Sequence, residues 1–231
     1  HGQMGGRTIA FSLDHGPLGY LSIAAHGHAD ALSIALSING TPVLVDPGTY
    51  LYGSGREWRE WFRSTPAHNT LNIEGESQSI SSGAFNWSHQ ANSKKTAGMP
   101  QENSKKNVGL PQENSQKTAG MPQQNWWLDA EHDGYQSRFG VLHRRRVERL
   151  KNSLVVTDYL VGGERSAELV FQLAPGLEAI QEGERVIVRR AQVSVLQLEF
   201  APGAITTQAG GDRVEGGWVS PRFGVKAPAP R

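Results

Sequence analysis

The sequence predicts an all-β fold, an antiparallel two-sheet β-sandwich with one short helical segment. Short runs of apolar or alternating residues recur along the chain, and glycine, proline and asparagine turns separate them. Asn39-Gly40, between two such runs, is a strong hairpin signal because both residues tolerate the left-handed turn conformation. Short strands with turns at this spacing are typical of sandwiches and barrels.

The strands follow in chain order from these runs. Four are predicted in the first part of the chain, at residues 8–13, 18–24, 31–38 and 41–46. Five more are predicted after residue 126, at residues 134–149, 154–161, 167–174, 185–190 and 193–200. Turn pairs such as Gly162-Gly163 and Pro175-Gly176 divide the later strands, as expected for an antiparallel arrangement.

The helical segment is predicted at residues 56–63, REWREWFR. On a helix the arginines share one face and the aromatic residues lie towards another: Arg56, Arg59 and Arg63 against Trp58, Trp61 and Phe62. Guanidinium groups bind carboxylate or sulfate in a bidentate manner. The alternative is a solvated helix face that the neighbouring glutamates partly neutralise.

Residues 93–125 are three consecutive eleven-residue units, SKKTAGMPQEN, SKKNVGLPQEN and SQKTAGMPQQN. Each unit carries a Gly-x-Pro that would break a helix, and only one or two apolar residues to offset the entropy of ordering. We therefore predict a disordered insertion here. Residues 1–92 and 126–231 are then expected to form one β-sandwich domain.

Composition excludes several classes of function. The 231 residues include 23 Lys and Arg against 22 Asp and Glu, a formal charge of +1, which favours neither a nucleic-acid partner nor an anionic membrane. The absence of cysteine excludes disulfides, thiolate metal sites and thiol catalysis. No apolar run approaches the roughly 18 residues of a membrane span, so no membrane insertion is expected. The start at His1 lacks the features of a signal peptide and looks like a chain begun partway through a longer protein.

The densest polar cluster is His26-Gly-His28-Ala-Asp30. Residues two apart on a strand point to the same side, so both imidazoles are expected to project together. Two such histidines are a common start to a zinc or other transition-metal site, with Asp46 and His68 as candidates to complete it. The alternative is a pair of histidines hydrogen-bonded on a polar sheet face.

Strand register gives the metal hypothesis a geometric condition. A two-residue turn at Asn39-Gly40 places Asp46 opposite Ser33, with its side chain away from the face of His28. A three-residue loop with its bulge shifts Asp46 onto the histidine face. A metal site therefore predicts that longer loop, or a bulge between His28 and Leu32.

Other catalytic templates fit poorly. The sequence has no Gly-x-Ser-x-Gly nucleophile elbow and no phosphate-binding glycine loop. A cupin-like metal site also begins with His-x-His, but it requires a glutamate where this sequence has Ala31 and Leu32. Tyr50 and Tyr52, close in sequence to the arginine-rich segment, are the aromatic residues best placed to stack on sugar rings.

Four motifs follow one another along the chain with moderate gaps, which is more specific than any one of them: HGHADALSIAL, NGTPVLVDPGTYLY, WFRSTPAHNTLNIEG and, further on, HDGY. Together they resemble the heparinase II/III-like family of polysaccharide lyases, over residues 18–78 and 130–173. The matching part of that family is its C-terminal β-sandwich. The resemblance implies an (α/α) toroid before the sandwich, with an acidic polysaccharide bound in the cleft between them.

The resemblance also assigns residues. His28, Asp46 and His68 match the three ligands of one structural zinc ion, and His26 matches a histidine near the reacting sugar. Tyr50, Tyr52, Arg59 and Arg63 are expected to line the cleft. The implied chemistry is β-elimination at a uronic acid, in the periplasm or cell envelope of a bacterium.

In this family the principal catalytic tyrosine and the group that neutralises the substrate carboxylate come from the toroid. The chain alone is therefore expected to be inactive or nearly so. The alternative is a non-catalytic carbohydrate-binding sandwich in which zinc only holds loops together.

Overall fold

A computed structural model describes residues 1–19, 24–53, 55–98 and 125–231. Its strands are paired in antiparallel fashion throughout the described sheets, and its helices are short. The predicted all-β sandwich class is therefore confirmed. Within the described residues, no helix is long and apolar enough to span a lipid bilayer.

The first sheet has four strands in sequential order. They are β1 (Gly2–Met4), β2 (Arg7–Leu13), β3 (Ile34–Ile38) and β4 (Thr41–Leu44). Asn39 and Gly40 form the β3–β4 turn, with φ of 51° and 76°. Ile38 pairs directly with Thr41, so the predicted two-residue hairpin turn is confirmed.

Helix α1 (Arg56–Arg63) matches its predicted bounds and continues into a 3-10 turn at Thr65–Ala67. Three short strands follow, β5 (Leu71–Ile73), β6 (Ile80–Gly83) and β7 (Asn86–His89), of which β6 and β7 form a hairpin. The second four-stranded sheet has the order β11-β10-β9-β8. Its members are β8 (Ser93–Gly98), β9 (Trp126–His132), β10 (Leu142–Arg149) and β11 (Leu154–Val161), with helix α2 (Gln136–Phe139) between β9 and β10.

The rest of the chain adds three smaller pairings. Strand β12 (Ala167–Leu169) pairs with β5, and a three-stranded meander contains β13 (Glu178–Glu182), β14 (Arg185–Arg190) and β15 (Val193–Glu199). A final hairpin contains β16 (Trp218–Arg222) and β17 (Val225–Pro228).

The main apolar core follows from the period-2 pattern of β3. Ile34, Leu36 and Ile38 are buried, while the residues between them are half-buried. They belong to one cluster with Leu173 and Val188, and apolar residues of β2, β11 and β15 pack against it. The core thus joins the first sheet to the meander and to the edge of the second sheet.

Four strand predictions need correction. Of the run at 167–174, only Ala167–Leu169 is strand. Residues 134–149 are not one strand, because Gln136–Phe139 forms a helical turn that ends at left-handed Gly140 (φ 74°). Residues 31–33 form a turn rather than the start of β3, with Leu32 left-handed at φ 62°. The strand predicted at 18–24 falls partly on residues 20–23, which lie outside the described residues; its ends at 18, 19 and 24 are not strand.

The repeat is also partly corrected. Its first six residues, Ser93–Gly98, form strand β8, which pairs with β9 through Ser93 opposite His132. An ion pair of 3.2 Å between Lys94 Nζ and Glu131 Oε1 supports the same register. Disorder is therefore wrong for this part, because backbone pairing to β9 supplies the stabilisation that apolar burial does not. Residues 99–124 of the predicted insertion lie outside the described residues.

Candidate metal centre and cleft

Four residues bring potential metal ligands together. One ligand atom from each of His28, Asp30, Asp46 and His68 lies within 4.8 Å of the others. His28 and Asp30 lie in the loop between β2 and β3, Asp46 lies two residues beyond β4, and His68 directly follows the 3-10 turn. This group could hold a metal ion; it contains the three candidates His28, Asp46 and His68, together with Asp30, which was not predicted as a ligand, and without His26.

Hydrogen bonds orient both imidazoles towards the cluster. His68 is fully buried, and its Nδ1 donates to the Ser64 carbonyl oxygen at 2.7 Å. Its unprotonated Nε2 therefore faces His28 Nδ1 at 3.2 Å and Asp46 Oδ2 at 3.4 Å. The other nitrogen of His28, Nε2, lies 3.4 Å from Thr49 Oγ1. One nitrogen held by the protein and the other left free is the arrangement typical of metal-binding histidines.

The protonation state of His28 suits a cation, whereas Asp30 would release a proton on binding one. Burial, and then the neighbouring His68, lower the pKa of His28 to about 3, so its imidazole is neutral at pH 7. Burial raises the pKa of Asp30 to about 7. Asp46 is exposed, and its Oδ1 accepts a hydrogen bond of 2.8 Å from the Gly48 backbone N–H, which leaves Oδ2 on the cluster side. Neutral imidazoles and carboxylate oxygens are the forms in which these side chains bind metals.

The turn and the loop that bring these residues together differ from the predicted ones. The turn at Asn39-Gly40 has two residues, and the register shifts instead where Leu36 pairs with Leu44, which leaves Val43 as the extra residue. His28 is not on a strand at all. The expected longer loop, or bulge between His28 and Leu32, is therefore wrong, because a folded loop rather than a strand presents the histidine.

Hydrogen bonds to the helical region hold that loop in place. The Ala29 backbone N–H donates to the Arg63 carbonyl oxygen at 2.8 Å, and Thr65 Oγ1 donates to the Ala29 carbonyl oxygen at 2.6 Å. On the other side, the Leu32 N–H donates to the Asp14 carbonyl oxygen at 2.8 Å. The loop is fixed on both sides, so these hydrogen bonds help to hold His28 and Asp30 beside His68.

His26 and His28 do not project together, contrary to the expectation for a strand. His26 has a left-handed backbone (φ 60°) and an exposed ring. That ring lies 5.4 Å from the Tyr52 ring and 5.2 Å from the Phe85 ring. The turn therefore separates the two histidines. His26 lies on the surface among aromatic rings, and His28 belongs to the group that could hold a metal.

Arg59 and Arg63 are buried rather than exposed, each with 1% of its surface accessible. Arg59 Nε and Nη2 both donate to the Ala84 carbonyl oxygen at 3.2 Å, and Arg63 Nη1 donates to the Gly83 carbonyl oxygen at 2.6 Å. The Arg63 guanidinium also lies 4.0 Å from the centre of the Trp87 ring. The expectation of an exposed arginine face is wrong for these two, because they hold the β6–β7 hairpin; their contact with a substrate stays a prediction.

The two tyrosines differ in exposure. Tyr50 is half-buried between the rings of Trp58 and Phe62, at 5.8 and 5.5 Å. Tyr52 is exposed beside His26, and the Arg59 guanidinium lies 5.5 Å from the centre of its ring. Tyr52 is therefore the more accessible of the two for stacking on a ligand.

Sequence reasoning missed Arg145. This arginine is buried and contacts the loop between β2 and β3 that carries His28. Its Nη1 donates to the Leu32 carbonyl oxygen at 2.6 Å and to the Asn69 carbonyl oxygen at 2.8 Å. Its Nε and Nη2 donate to the two carboxylate oxygens of Asp158 at 2.7 and 3.0 Å. Arg145 thus connects the second sheet to both segments that carry the histidine ligands. It lies on the inner face of β10 beside His143 and Val147, but β10 does not alternate between polar and apolar residues, so its sequence gives no sign of this burial.

A chain of hydrogen bonds continues from Asp158 into the interior. The Gly134 N–H donates to His132 Nδ1 at 3.1 Å, so the proton of His132 resides on Nε2 and is donated to His143 Nδ1 at 3.0 Å. His143 Nε2 in turn donates to Asp158 Oδ1 at 2.6 Å. This assignment, made from the partners, gives every ring nitrogen a suitable partner with both imidazoles neutral.

Burial governs the titration of these groups. It lowers the pKa of His132 well below its ordinary value, with a smaller effect of His143, and it also lowers the pKa of His143 despite the nearby Asp158. Burial opposes ionisation of Asp158 as well. The charge of Arg145 and the hydrogen bond from His143 outweigh it and hold the pKa of that carboxyl well below its usual range.

Comparisons with known proteins agree with this architecture. The sequence profile of the heparinase II/III-like C-terminal family matches residues 3–230. No curated protein sequence matches the chain.

Among solved structures, a heparinase III, the BT4657 gene product, superposes with a TM-score of 0.66 at 20% identity, over 95% of this chain and 28% of its own. The heparan sulfate lyase HepC from Pedobacter heparinus superposes with a TM-score of 0.67 at 16% identity, over 97% of this chain and 30% of its own. The chain therefore spans less than a third of the length of the solved structures it matches.

Proposed function

Since residues 3–230 match the C-terminal profile, this chain belongs to the heparinase II/III-like family of polysaccharide lyases, and we propose that it forms the sandwich side of a cleft that binds and cleaves a uronic-acid-containing polysaccharide. The observation that carries this proposal is the position of His26. Its exposed ring lies among aromatic side chains, only two residues from His28 of the metal cluster. A titratable group beside exposed aromatic rings suits a sugar-binding reaction site.

The proposed metal is one structural zinc ion held by His28, Asp46 and His68. Tetrahedral zinc with bonds of about 2.0–2.2 Å separates neighbouring ligand atoms by about 3.3–3.5 Å. The separations of 3.2 Å between His28 Nδ1 and His68 Nε2, and of 3.4 Å between His68 Nε2 and Asp46 Oδ2, fit that geometry. The donor set of two imidazoles and a carboxylate fits zinc equally well, and Asp30 is close enough to be a fourth ligand.

The zinc would join the loop that carries His26 to the segment after α1. It would thereby hold His26 in position at the cleft. It supplies no step of the reaction in this proposal. Zinc binding and folding are coupled at such sites, because the ligands come from segments far apart in sequence.

The proposed reaction is β-elimination. The uronic acid carboxylate is neutralised, a base removes the proton on the carbon beside it, and an acid protonates the departing glycosidic oxygen. His26 is the group of this chain that we place at the reacting sugar, where its imidazole can exchange a proton. Tyr52, and less directly Tyr50, Arg59 and Arg63, would form the wall of the cleft around it.

We also propose that the remaining catalytic groups belong to an (α/α) toroid outside these 231 residues. The solved lyases are more than three times as long as the part that this chain matches. On this proposal the chain alone binds acidic polysaccharide but releases no unsaturated product.

The test measures binding and product separately. The chain is incubated with heparan sulfate, alginate, hyaluronan and neutral amylose, and the ultraviolet absorbance of the new C4–C5 double bond is followed. We expect binding to at least one uronic acid polymer, none to amylose, and no double bond. In the protein extended by its upstream coding sequence, we expect cleavage of the same polymer and its loss in the His26→Ala variant.

Two results would contradict the proposal. Release of unsaturated uronide by the 231-residue chain itself would show that no further domain is needed. Binding without cleavage in the extended protein would favour the alternative, a non-catalytic carbohydrate-binding module with a zinc site.

A further inference from the structure

The C-terminal hairpin β16–β17 docks beside the metal cluster. The Ser220 N–H donates to the Pro47 carbonyl oxygen at 2.7 Å, and the Gly224 N–H donates to the Tyr50 carbonyl oxygen at 2.8 Å. A side chain at Gly48 would meet the Ser220 carbonyl oxygen at 2.4 Å, so the close approach requires glycine there. The hairpin is therefore held against the segment that directly follows Asp46.

This docking places Phe223, at the hairpin tip, on the surface next to the cleft. The Phe223 and Tyr52 rings are stacked, with centroids 5.4 Å apart and an angle of 29°. Tyr52 lies 6.1 Å from Phe85, and both rings contact His26. Segments distant in sequence thus bring three aromatic rings together, and two of these rings, Tyr52 and Phe85, contact His26.

The three rings contribute little to the core. Phe223 is 64% exposed, Tyr52 41% and Phe85 39%. A contiguous patch of exposed aromatic side chains gains little from folding and usually marks a surface that binds something. The flat faces of such rings are suited to the apolar C–H faces of a sugar ring.

The charges of the hairpin favour an acidic ligand. The hairpin, residues 218–228, contains Arg222 and Lys226 but no Asp or Glu. Lys226 Nζ lies 3.6 Å from the centre of the Trp218 ring and 3.8 Å from that of Trp58, which holds the cation at the base of the hairpin. A hairpin that is aromatic and basic complements a polymer with pyranose rings and carboxylates.

We propose that Tyr52, Phe85 and Phe223 form a stacking platform that binds one sugar ring of the acidic polysaccharide next to His26. The proposal rests on the proposed function and adds to it a binding contribution from the C-terminal hairpin. The platform would orient the chain of sugars across His26, while the basic residues of the hairpin attract its carboxylates.

The test uses the 231-residue chain and octasaccharides cut from heparan sulfate, alginate and hyaluronan, with maltooctaose as the neutral probe. Dissociation constants come from calorimetry, or from NMR titration where binding is weak. We expect Phe223→Ala to weaken binding of the preferred octasaccharide about tenfold, equivalent to about 1.4 kcal/mol. Phe223→Trp keeps a ring and should bind within about twofold of the parent. Val193→Ala is the matched control, since Val193 is equally exposed at 64% but lies on β15.

The outcomes separate this inference from the proposed function. Binding by the parent that Phe223→Ala leaves unchanged would overturn the platform and leave the proposed function standing. Failure of the parent chain to bind any of the three acidic octasaccharides would overturn the platform and the substrate class together. Equal losses in Phe223→Ala and Val193→Ala would also overturn it, because the loss would then not depend on the aromatic ring.

Discussion

The pKa of the buried histidine His132 is set by its burial and by its hydrogen bonds to neighbouring groups. His132 accepts a hydrogen bond from the Gly134 N–H on Nδ1 and donates from Nε2 to His143. A second proton on His132 would place two donors against each other at Nδ1. Burial and this geometry both favour the neutral imidazole, which is why the pKa of His132 lies well below its ordinary value.

The consequence is a loss of stability in mild acid. In the unfolded chain a histidine takes up a proton near pH 6.5, whereas His132 in the folded chain does not. Its contribution is therefore fully present above about pH 6.5 and declines as the pH falls below it. We expect His132→Gln, which cannot be protonated, to lessen the fall in free energy of unfolding between pH 7 and pH 5. The difference is at most about 1.4 kcal/mol per pH unit.

Urea unfolding at pH 7, 6 and 5 measures this slope. His15→Gln is the matched control, since His15 is exposed, and its slope should equal that of the parent. A slope unchanged in His132→Gln would mean that His132 is protonated in the folded state.

At the residue scale, the sequence brought forward three of the four residues that could hold a metal better than the residues that support them. His28 was singled out by the His-x-His pattern, with Asp46 and His68 as candidates to complete a site, and the structure places their ligand atoms together. Arg145 was not singled out, because its role depends on two carbonyl oxygens that lie 113 and 76 residues away in sequence. Contacts of that range carry no local signal.

Among the elements, helix α1 has the clearest division between its faces. Arg59, Phe62 and Arg63 are buried, while Arg56 is exposed. Arg63 spans from the helix to the Gly83 carbonyl oxygen and lies over the Trp87 ring. The helix thus stabilises the β6–β7 hairpin through charged side chains that sequence patterning alone would assign to solvent.

Arg63→Ala should therefore destabilise the protein strongly. It removes the hydrogen bonds from Arg63 to the Gly83 and Asn86 carbonyl oxygens and the cation–π contact with Trp87, so we expect a free energy of unfolding lower by about 3 kcal/mol. Arg56→Ala, on the exposed side of the same helix, should cost less than about 0.5 kcal/mol. Thermal and urea unfolding of the two variants test the difference, and equal effects would contradict the bracing role of Arg63.

Strands were predictable only in part, since β9, β13 and the hairpins β6–β7 and β16–β17 were not among the predicted runs, and loop conformation was not predictable. Strands β11 and β14 match their predicted bounds because alternating residues between turn pairs leave little choice. The segment that carries His26 and His28 lies between the strands predicted at 18–24 and 31–38, and its backbone was expected to be extended. Left-handed conformations at His26 and Leu32 turn the chain there, and hydrogen bonds to distant segments hold them.

Across the whole molecule, Arg145 links the second sheet to the metal centre. Its guanidinium bridges Asp158 on β11, the loop at Leu32 and the segment at Asn69. The planar guanidinium group donates from three nitrogens to the carboxylate and the two carbonyl oxygens at once. The single ammonium group of lysine cannot make the same set of hydrogen bonds. The metal loop is thus supported from the sandwich core.

We expect Arg145→Lys to lower zinc affinity 10- to 100-fold, the usual effect of losing a group that orients metal ligands, and to lower the free energy of unfolding by about 3 kcal/mol. Arg144→Lys is the matched control, because Arg144 is its neighbour on β10 and likewise pairs with an aspartate, Asp129, but lies on the opposite face of the strand. Competition titration with a chelator measures the affinities. Equal zinc affinity in the two variants would show that Arg145 supports the fold but not the metal centre.

The central claim is that His28, Asp46 and His68 close around one zinc ion and so fix the loop that presents His26. X-ray diffraction data from zinc-loaded crystals, collected on both sides of the zinc absorption edge, test it most directly. We predict one anomalous peak per chain, bonded to His28 Nδ1, His68 Nε2 and Asp46 Oδ2 at about 2.0–2.2 Å. A peak elsewhere, or no peak among these three side chains, would contradict the account.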